Sequence, residues 1–245
     1  TILLIPFMSC SAKLPIYAVF CAAFFPGREA LVMTLLYVGG MAAGILYGLL
    51  LKGTLFQGDT APFVLELPAY RLPSAKSTVL HMWEKARDFL QRAFTIIFIA
   101  TILIWLLQSF DGQLNMVQDS SQSLLAMLGG VIAPLFAPLG FGNWQAATAL
   151  ITGLTAKEAV ISTLAVLTGA SEAALPEILS GLFTPLAAAS FLTFTLLYMP
   201  CVAALAAIRR ELGSMRAAAL AMLCQTGVAW VLAFLVYQVG GLLGF

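Results

Sequence analysis

The sequence predicts an all-α fold, that of a polytopic helical membrane protein whose helices are broken by prolines and arranged as a paired repeat. Three observations lead there. Of 245 residues, 61% are hydrophobic and only 9% charged, far below the near-quarter of charged residues in an average soluble domain. Apolar runs follow one another with few long loops, and at about 20 residues per crossing the chain holds roughly six to eight. Two of these runs, near opposite ends, place Met, Pro and Cys together: Pro6-Phe7-Met8-Ser9-Cys10-Ser11-Ala12-Lys13-Leu14-Pro15 and Tyr198-Met199-Pro200-Cys201.

No separate soluble domain fits beside these spans. A net charge of +1 with no strong basic cluster argues against a nucleic-acid partner, which needs a basic face. Thr1 runs at once into Ile2-Leu3-Leu4-Ile5 without an initiator Met, a charged leader or a cleavage site, so we expect a fragment of a longer protein. Cys10, Cys21, Cys201 and Cys224 lie in apolar runs without CxxC spacing. That pattern is neither a zinc ribbon nor a secreted disulfide framework, and the thiols are expected to be free.

Taken in order, residues 1–25 read as one broken span, because Pro6 and Pro15 each remove a backbone donor. The turn at Pro26-Gly27 leads into a clean apolar helix over 30–51, where Gly39-Gly40 and Ala42-Ala43-Gly44 permit close helix contact. From Lys52 to Arg92 the character changes. Gly58, Pro62, Pro68 and Pro73 break any long helix, and 66–73 reads as extended and polyproline-like. Over 77–92, His81, Glu84, Lys85, Arg87 and Asp88 alternate with Leu80, Trp83, Phe89 and Leu90, as in an amphipathic interfacial helix. It leads directly into a span over 93–107.

Residues 108–123 and 169–184 carry acidic but no basic side chains, whereas 52–92 and 209–216 hold most of the positive charge. The positive-inside rule makes the basic segments cytoplasmic and the acidic loops external. Between the acidic loops, 124–142 holds Gly129-Gly130, Pro134, Pro138, Gly140 and Gly142, and is a kinked span or a re-entrant hairpin. We take it as a full span buried in the protein interior, where irregular backbone is tolerated. A long helix is expected over 144–167 with Lys157 and Glu158 near its centre, then a span over 185–208 broken at Pro200, and a last span from 215. The chain divides into 1–51, 52–92 and 93–245.

The chemistry-bearing candidates follow from these breaks. Cys10 with Met8, and Cys201 with Met199, supply sulfur, which favours soft or borderline cations such as Cu(I), Zn and Fe(II). A broken helix adds free carbonyls as oxygen ligands. Cys and Met are also ordinary core fillers, the reading that suits Cys21 and Cys224. Glu158 is an ionisable group expected at mid-span, and such groups usually face a pathway; Thr155 and Ser162 lie about one turn away on its side. The bland reading is a structural ion pair or a short span that leaves Lys157 and Glu158 at the interface. Pro6, Ser9, Ser11 and Pro200 belong to the breaks. Glu66, His81, Glu84 and Asp88 read most simply as solvated, and Arg209, Arg210 and Arg216 as topology anchors. No phosphate loop, HExxH or GxSxG occurs, so this chain is expected not to be an enzyme.

The blocks Pro6 to Tyr17 with Phe24-Phe25, Glu66-Leu67-Pro68-Ala69-Tyr70-Arg71-Leu72-Pro73, Ala156-Lys157-Glu158-Ala159-Val160 and Met199-Pro200-Cys201-Val202-Ala203-Ala204 resemble, in order, motifs of the FeoB family of prokaryotic ferrous iron transporters. They cover most of the chain. The resemblance implies the C-terminal part of an inner-membrane Fe²⁺ permease with a gate-type repeat, preceded in the family by a further Cys-bearing gate motif and by a cytoplasmic GTP-binding domain. Residues 1–51 would then complete the first gate region, and 93–245 would contain the second. It implies Cys10 and Cys201 as gate cysteines, and Glu66 and Glu158 as the acidic members of family motifs. Fe²⁺ is the implied cargo, and GTP would act only through the absent domain. Implied partners are the bilayer, that GTP-binding domain, a small cytoplasmic accessory protein and a second copy of the chain. The rival readings are a permease for an organic solute such as a nucleoside, a membrane thiol redox sensor joining Cys10 to Cys201, and a passive scaffold for a nucleotide-binding partner.

Overall fold

The computed structural model describes residues 4, 7–54, 74–113, 115–117, 120–171, 174–199 and 201–244. Among these, the chain forms ten α-helices and no strand beyond an isolated bridge between Phe110 and Met116, so the all-α expectation holds. Pro6, Pro200 and Glu66, with the whole extended piece over 66–73, lie outside the described residues.

The N-terminal segment passes through a 3-10 turn at Ser11–Lys13 into α1 (Leu14–Phe24). Pro15 falls in the first turn of α1, where its missing N–H costs no hydrogen bond. It therefore starts a helix rather than interrupting one, a correction to the expected second break. Helix α2 (Glu29–Thr54) runs through Lys52. Its Gly40 and Gly44 lie one turn apart against Phe7: a Cβ on Gly40 would stand 2.9 Å from the Phe7 carbonyl oxygen. The small residues admit the broken segment to the helix surface, and the Phe7 ring packs on Tyr47 at 4.9 Å.

Ser74 caps α3 (Ala75–Ser109), a single helix of 35 residues that passes residue 92 without interruption. At 1.5 Å per residue it is about 52 Å long, well beyond a hydrocarbon core of about 30 Å. Its first three turns are exposed throughout.

The remainder is built mainly from short helices. Helix α4 (Leu124–Phe136) continues through a 3-10 turn at Ala137–Leu139, and α5 (Trp144–Thr152) leaves it at 106°. The two pack closely because Gly129 faces Thr148 and the Trp144 carbonyl without a Cβ. Helix α6 (Ala159–Thr168) follows, then α7 (Leu175–Leu182), α8 (Pro185–Leu197), again at 106°, α9 (Val202–Leu212) and α10 (Met215–Leu242). Each bent pair, α4/α5 and α7/α8, precedes a break and another short helix. The second acidic loop thus contains α7, which buries Leu175 and Leu179 and packs on α1 and α6.

Among the described residues, α2 and α10 are the helices long and apolar enough to cross a membrane alone, and the two bent pairs qualify when each is taken together. Much of the expected span length is therefore in half-helices. The core lies between α1, α5, α6 and α8, with α8 also held along α10, whose Ala229 and Ala233 are fully buried and whose Ala233 carbonyl accepts from Ser190 Oγ at 3.0 Å. An aromatic wall crosses it: Phe20 on Phe191 at 4.9 Å, Phe191 on Phe141 at 5.2 Å, Phe141 on Phe136 at 5.5 Å, Phe136 on Phe194 at 5.2 Å and Phe194 on Tyr198 at 5.2 Å. It ends at the break in α8/α9.

Candidate functional site

Helix α8 stops at Leu197, in keeping with a proline three positions on. A helix end leaves its last carbonyls without intrahelical partners, and here side chains supply them. Lys13 Nζ donates to the Leu196 carbonyl at 2.7 Å, Gln225 Nε2 to that of Leu197 at 3.2 Å, and Lys157 Nζ to that of Met199 at 2.8 Å. Cations also suit the partially negative C-terminal end of a helix.

The second break runs from Gly153 to Glu158, so the single helix expected over 144–167 is instead α5 and α6. At nine and ten residues, each is about 14 Å long and reaches only half-way across a bilayer. The physical cause is tertiary. The Tyr198 hydroxyl donates to the Leu150 carbonyl at 3.3 Å, and the Val202 N–H donates to the Leu154 carbonyl at 2.7 Å. Each break therefore satisfies the exposed backbone of the other. Gly153 permits the approach, since a Cβ there would collide with the Tyr198 hydroxyl and Val160. Thr152 and Thr163 share a hydrogen bond of 2.8 Å that holds α5 to α6.

Two lysine side chains end at this crossing. Lys13 and Lys157 are 4% and 3% exposed. Lys13 also reaches the Met8 carbonyl at 3.3 Å, and Lys157 Nζ lies 3.0 Å from the Tyr198 ring centroid, a cation–π contact. Cys10 and Cys201 are within electrostatic range of both lysines. The first gate-like stretch and the second thus meet in space. Cys10 is exposed, Cys201 is half-buried, and both are free thiols. Met8 and Ser11 are exposed and Met199 half-buried, while Ser9 Oγ stands 3.5 Å from the Tyr17 hydroxyl.

Two expectations change. The carbonyls of Leu196 and Met199 are not free ligands; the Nζ groups of Lys13 and Lys157 hold them. Glu158 is not at the centre of a helix but at the start of α6, where it makes no side-chain capping bond and is exposed together with Ser162 one turn on. The buried ionisable residue is its neighbour, Lys157. Sequence reasoning missed Lys13, Gln225 and Tyr198 as site residues; the only available signal was a lysine between two prolines in an apolar run.

Among the described residues, no group of three or more His, Cys, Asp or Glu could hold a metal. Two thiols can offer a divalent cation a weak, reversible stop rather than a closed cage. An apolar groove of about 1000 Å³ between α2, α8 and α10, lined by residues such as Leu36, Ala43, Leu192, Cys224 and Val228, presents little polarity to a cation.

Half-helices whose broken ends exchange hydrogen bonds recur in membrane transport proteins, and the class this fold defines is a polytopic helical membrane protein. A family model described as "Gate: Nucleoside recognition" matches residues 90–215, and one described as "Ferrous iron transport protein B C terminus" matches 33–85. The chain is 43% identical over 242 residues to a protein named "Fe(2+) transporter FeoB" from Staphylococcus aureus, covering 99% of this chain and 36% of that protein. It is 36% identical over 250 residues to the protein of the same name from Methanocaldococcus jannaschii, covering 99% and 37%. A third relative, 35% identical over 288 residues and covering 98% and 34%, is a "Fe(2+) transport protein A/Fe(2+) transporter FeoB fusion protein" from Porphyromonas gingivalis. The chain belongs to the FeoB family. It spans little more than a third of the length of these curated relatives. No solved structure matches it.

Proposed function

We propose that this chain is the C-terminal permease part of a transporter that imports Fe²⁺ across the prokaryotic inner membrane. The observation that carries this reading is the meeting of the Cys10 and Cys201 segments at crossed helix breaks, in a chain whose relatives are named Fe(2+) transporters. Fe²⁺ passes between the broken ends and is ligated in transit by the Cys10 and Cys201 thiolates, with Met8 and Met199 as weaker sulfur donors. Loss of a thiol proton to water accompanies each Fe–S contact, because the thiolate is the ligand. Glu158 and Ser162 line the approach, which accounts for a carboxylate left exposed on a short apolar helix. Pro6, Ser9, Ser11 and Pro200 belong to the two gate segments, and Lys157 belongs to the same gate. Glu66 lies in the cytoplasmic segment.

Nucleotide acts through an N-terminal GTP-binding domain of the parent protein, and the P. gingivalis fusion supports a small accessory partner. Residues 1–51, 52–92 and 93–245 serve as the end of the first gate region, a cytoplasmic segment and the remaining spans. The basic segments face the cytoplasm, and copies of the parent protein associate in the membrane.

Uptake of radiolabelled Fe²⁺ under reducing conditions, in cells making the full-length parent, tests the reading. The Cys10→Ser, Cys201→Ser variant is expected to lose uptake at equal membrane abundance. Unchanged uptake would remove the thiols from the pathway. Because the matching gate model is described by nucleoside recognition, radiolabelled nucleoside is the comparison substrate. Its uptake in place of Fe²⁺ would overturn the iron reading.

A further inference from the structure

Three glycines of α2 have a use inside the chain: a Cβ on Gly40 or Gly44 would meet Phe7, and one on Gly48 would meet Leu4. Gly39 is different. Among the described residues, a Cβ there would meet nothing within 4 Å, and the same holds for Gly227 in the middle of α10. Glycine is a poor helix former beside alanine, so two such open positions in spanning helices need a reason outside the packing of this chain. Both line the apolar groove between α2, α8 and α10.

The form of that groove says what fits it. Its volume of about 1000 Å³ stands at the top of the range of small-molecule sites, and it is long. The α2 wall runs from Val32 to Leu50, about 27 Å, which approaches the thickness of a hydrocarbon core. An apolar ligand made of chains matches this form; a compact or polar one does not. Helices α2 and α10 are those that can cross a membrane alone, so the groove between them faces the bilayer.

Its two mouths differ in charge. Tyr47, late in α2, is within electrostatic range of Cys224, early in α10, so the end of α2 and the start of α10 lie on one side. There Lys52 follows the groove residue Leu50, and Arg216 opens α10 just after the Arg209-Arg210-Glu211 end of α9, all exposed. At the far mouth Arg28 is followed at once by Glu29, and α10 carries no charged residue beyond Arg216. One mouth is basic and the other balanced.

We propose that this groove is a binding site for an anionic phospholipid of the leaflet that faces the basic ends of α2 and α10. The acyl chains lie along Gly39, Ala43, Leu46, Gly227 and Val228, and the phosphate lies at Lys52 and Arg216. Long basic side chains run their stems along apolar surface while the charged heads reach the polar layer, and a negatively charged headgroup is the partner they attract there. The inference goes beyond Fe²⁺ transport and rests only on the membrane class of the fold. Topology alone accounts for basic residues on one side, so the test reads headgroup preference inside the groove.

The full-length parent is reconstituted into dioleoyl phosphatidylcholine vesicles doped with phosphatidylglycerol that carries a diazirine in one acyl chain, or in parallel with phosphatidylcholine tagged in the same way. After photolysis, adducts are mapped by peptide mass spectrometry. We expect them concentrated on the groove walls of α2 and α10, with about ten-fold more from phosphatidylglycerol, the order of magnitude that two basic side chains confer at a membrane surface. The Lys52→Gln, Arg216→Gln protein should give equal yields from the two lipids. Gly39→Leu with Gly227→Leu fills the groove from open positions and should abolish the groove adducts without lowering the melting temperature, since leucine favours helix over glycine.

Labelling as strong at Leu31 and Ile45, which are exposed on α2 but lie off the groove, overturns the site, and equal wild-type yields from the two lipids overturn its headgroup. A groove without adducts overturns it too: a disulfide between Cys224 of two copies would then assign the groove to a second copy, and its absence to another segment of the parent. If the glycine variants do not fold, the Lys52→Gln, Arg216→Gln protein, changed only at exposed positions, decides the proposal by its lipid ratio. None of these readouts involves Fe²⁺, so the transport reading stands or falls separately.

Discussion

Val202 gives its backbone N–H to the carbonyl of Leu154 at 2.7 Å, so the first turn of α9 is tied to the loop that separates α5 from α6. The Tyr198 hydroxyl returns the connection by donating to Leu150 at the end of α5. Neither break is stable alone, because unwound backbone in an apolar environment costs several kcal/mol per unpaired group. Together they make a junction that is irregular yet hydrogen-bonded across both breaks. Its weakest point is steric rather than polar.

Gly153→Ala is therefore expected to destabilise the junction by about 1–3 kcal/mol, the usual penalty of overpacking, since the new methyl would strike the Tyr198 hydroxyl and Val160. In a Tyr198→Phe background the same change should cost less, because the hydroxyl it meets is gone. Melting temperatures of the four proteins of this cycle in detergent measure the coupling. Equal losses in both backgrounds would mean that Gly153 and Tyr198 do not meet.

Gln225 is 4% exposed and supplies the only charge-free side-chain donor to the end of α8 among the bonds described above. Gln225→Leu leaves the Leu197 carbonyl buried without that partner, at a cost of about 1–3 kcal/mol. Gln225→Glu fares no better when ionised, because a carboxylate cannot donate to a carbonyl. A melting temperature within a degree or so of the parent for both would show that Leu197 has another partner in solution.

The fold class, the four motif blocks and the break at Pro200 were legible because proline and glycine punctuate an otherwise apolar sequence. The break at 153–158 was not. Thr155-Ala156-Lys157-Glu158-Ala159 has no proline, and its local propensity is compatible with helix; the unwinding is imposed by Tyr198 and Val202, more than 40 residues on. The same distance hid the site. Cys10 and Cys201 could be paired by their shared sequence pattern, but the acceptor of Lys13 lies 183 residues away, and no local pattern encodes it. The short helix α7 was hidden in an acidic stretch whose Leu175 and Leu179 carry the helical spacing.

Thiol chemistry should follow the placement of the cysteines. Cys21 is fully buried and should resist modification in the folded protein. Cys224 is exposed from the chain but lines the apolar groove between α2 and α10, so a charged, membrane-impermeant methanethiosulfonate should not reach it. Cys10 should react, because the proposed pathway is wet. Mass spectrometry of labelled, reconstituted protein checks the order, and modification of Cys224 ahead of Cys10 would contradict a water-filled approach to the first gate segment.

The turn after α3 supplies a pH-dependent element outside the spans. Asp111 Oδ1 accepts the backbone N–H groups of Gln113 at 2.8 Å and Asn115 at 2.9 Å, and these bonds hold its carboxyl below the ordinary aspartate range. A group whose pKa is lower in the folded turn stabilises that turn above the unfolded value, near 4, and the contribution is lost as pH falls through the folded value. Protection of the Gln113 and Asn115 amides from hydrogen exchange, corrected for the intrinsic pH dependence, should thus be constant from neutrality to about pH 5 and decline in stronger acid. In Asp111→Asn the side chain still offers one acceptor oxygen but no charge, so protection should be lower at neutral pH and should lose its acid dependence. Protection that declines equally with acid in both proteins would place the titrating group elsewhere.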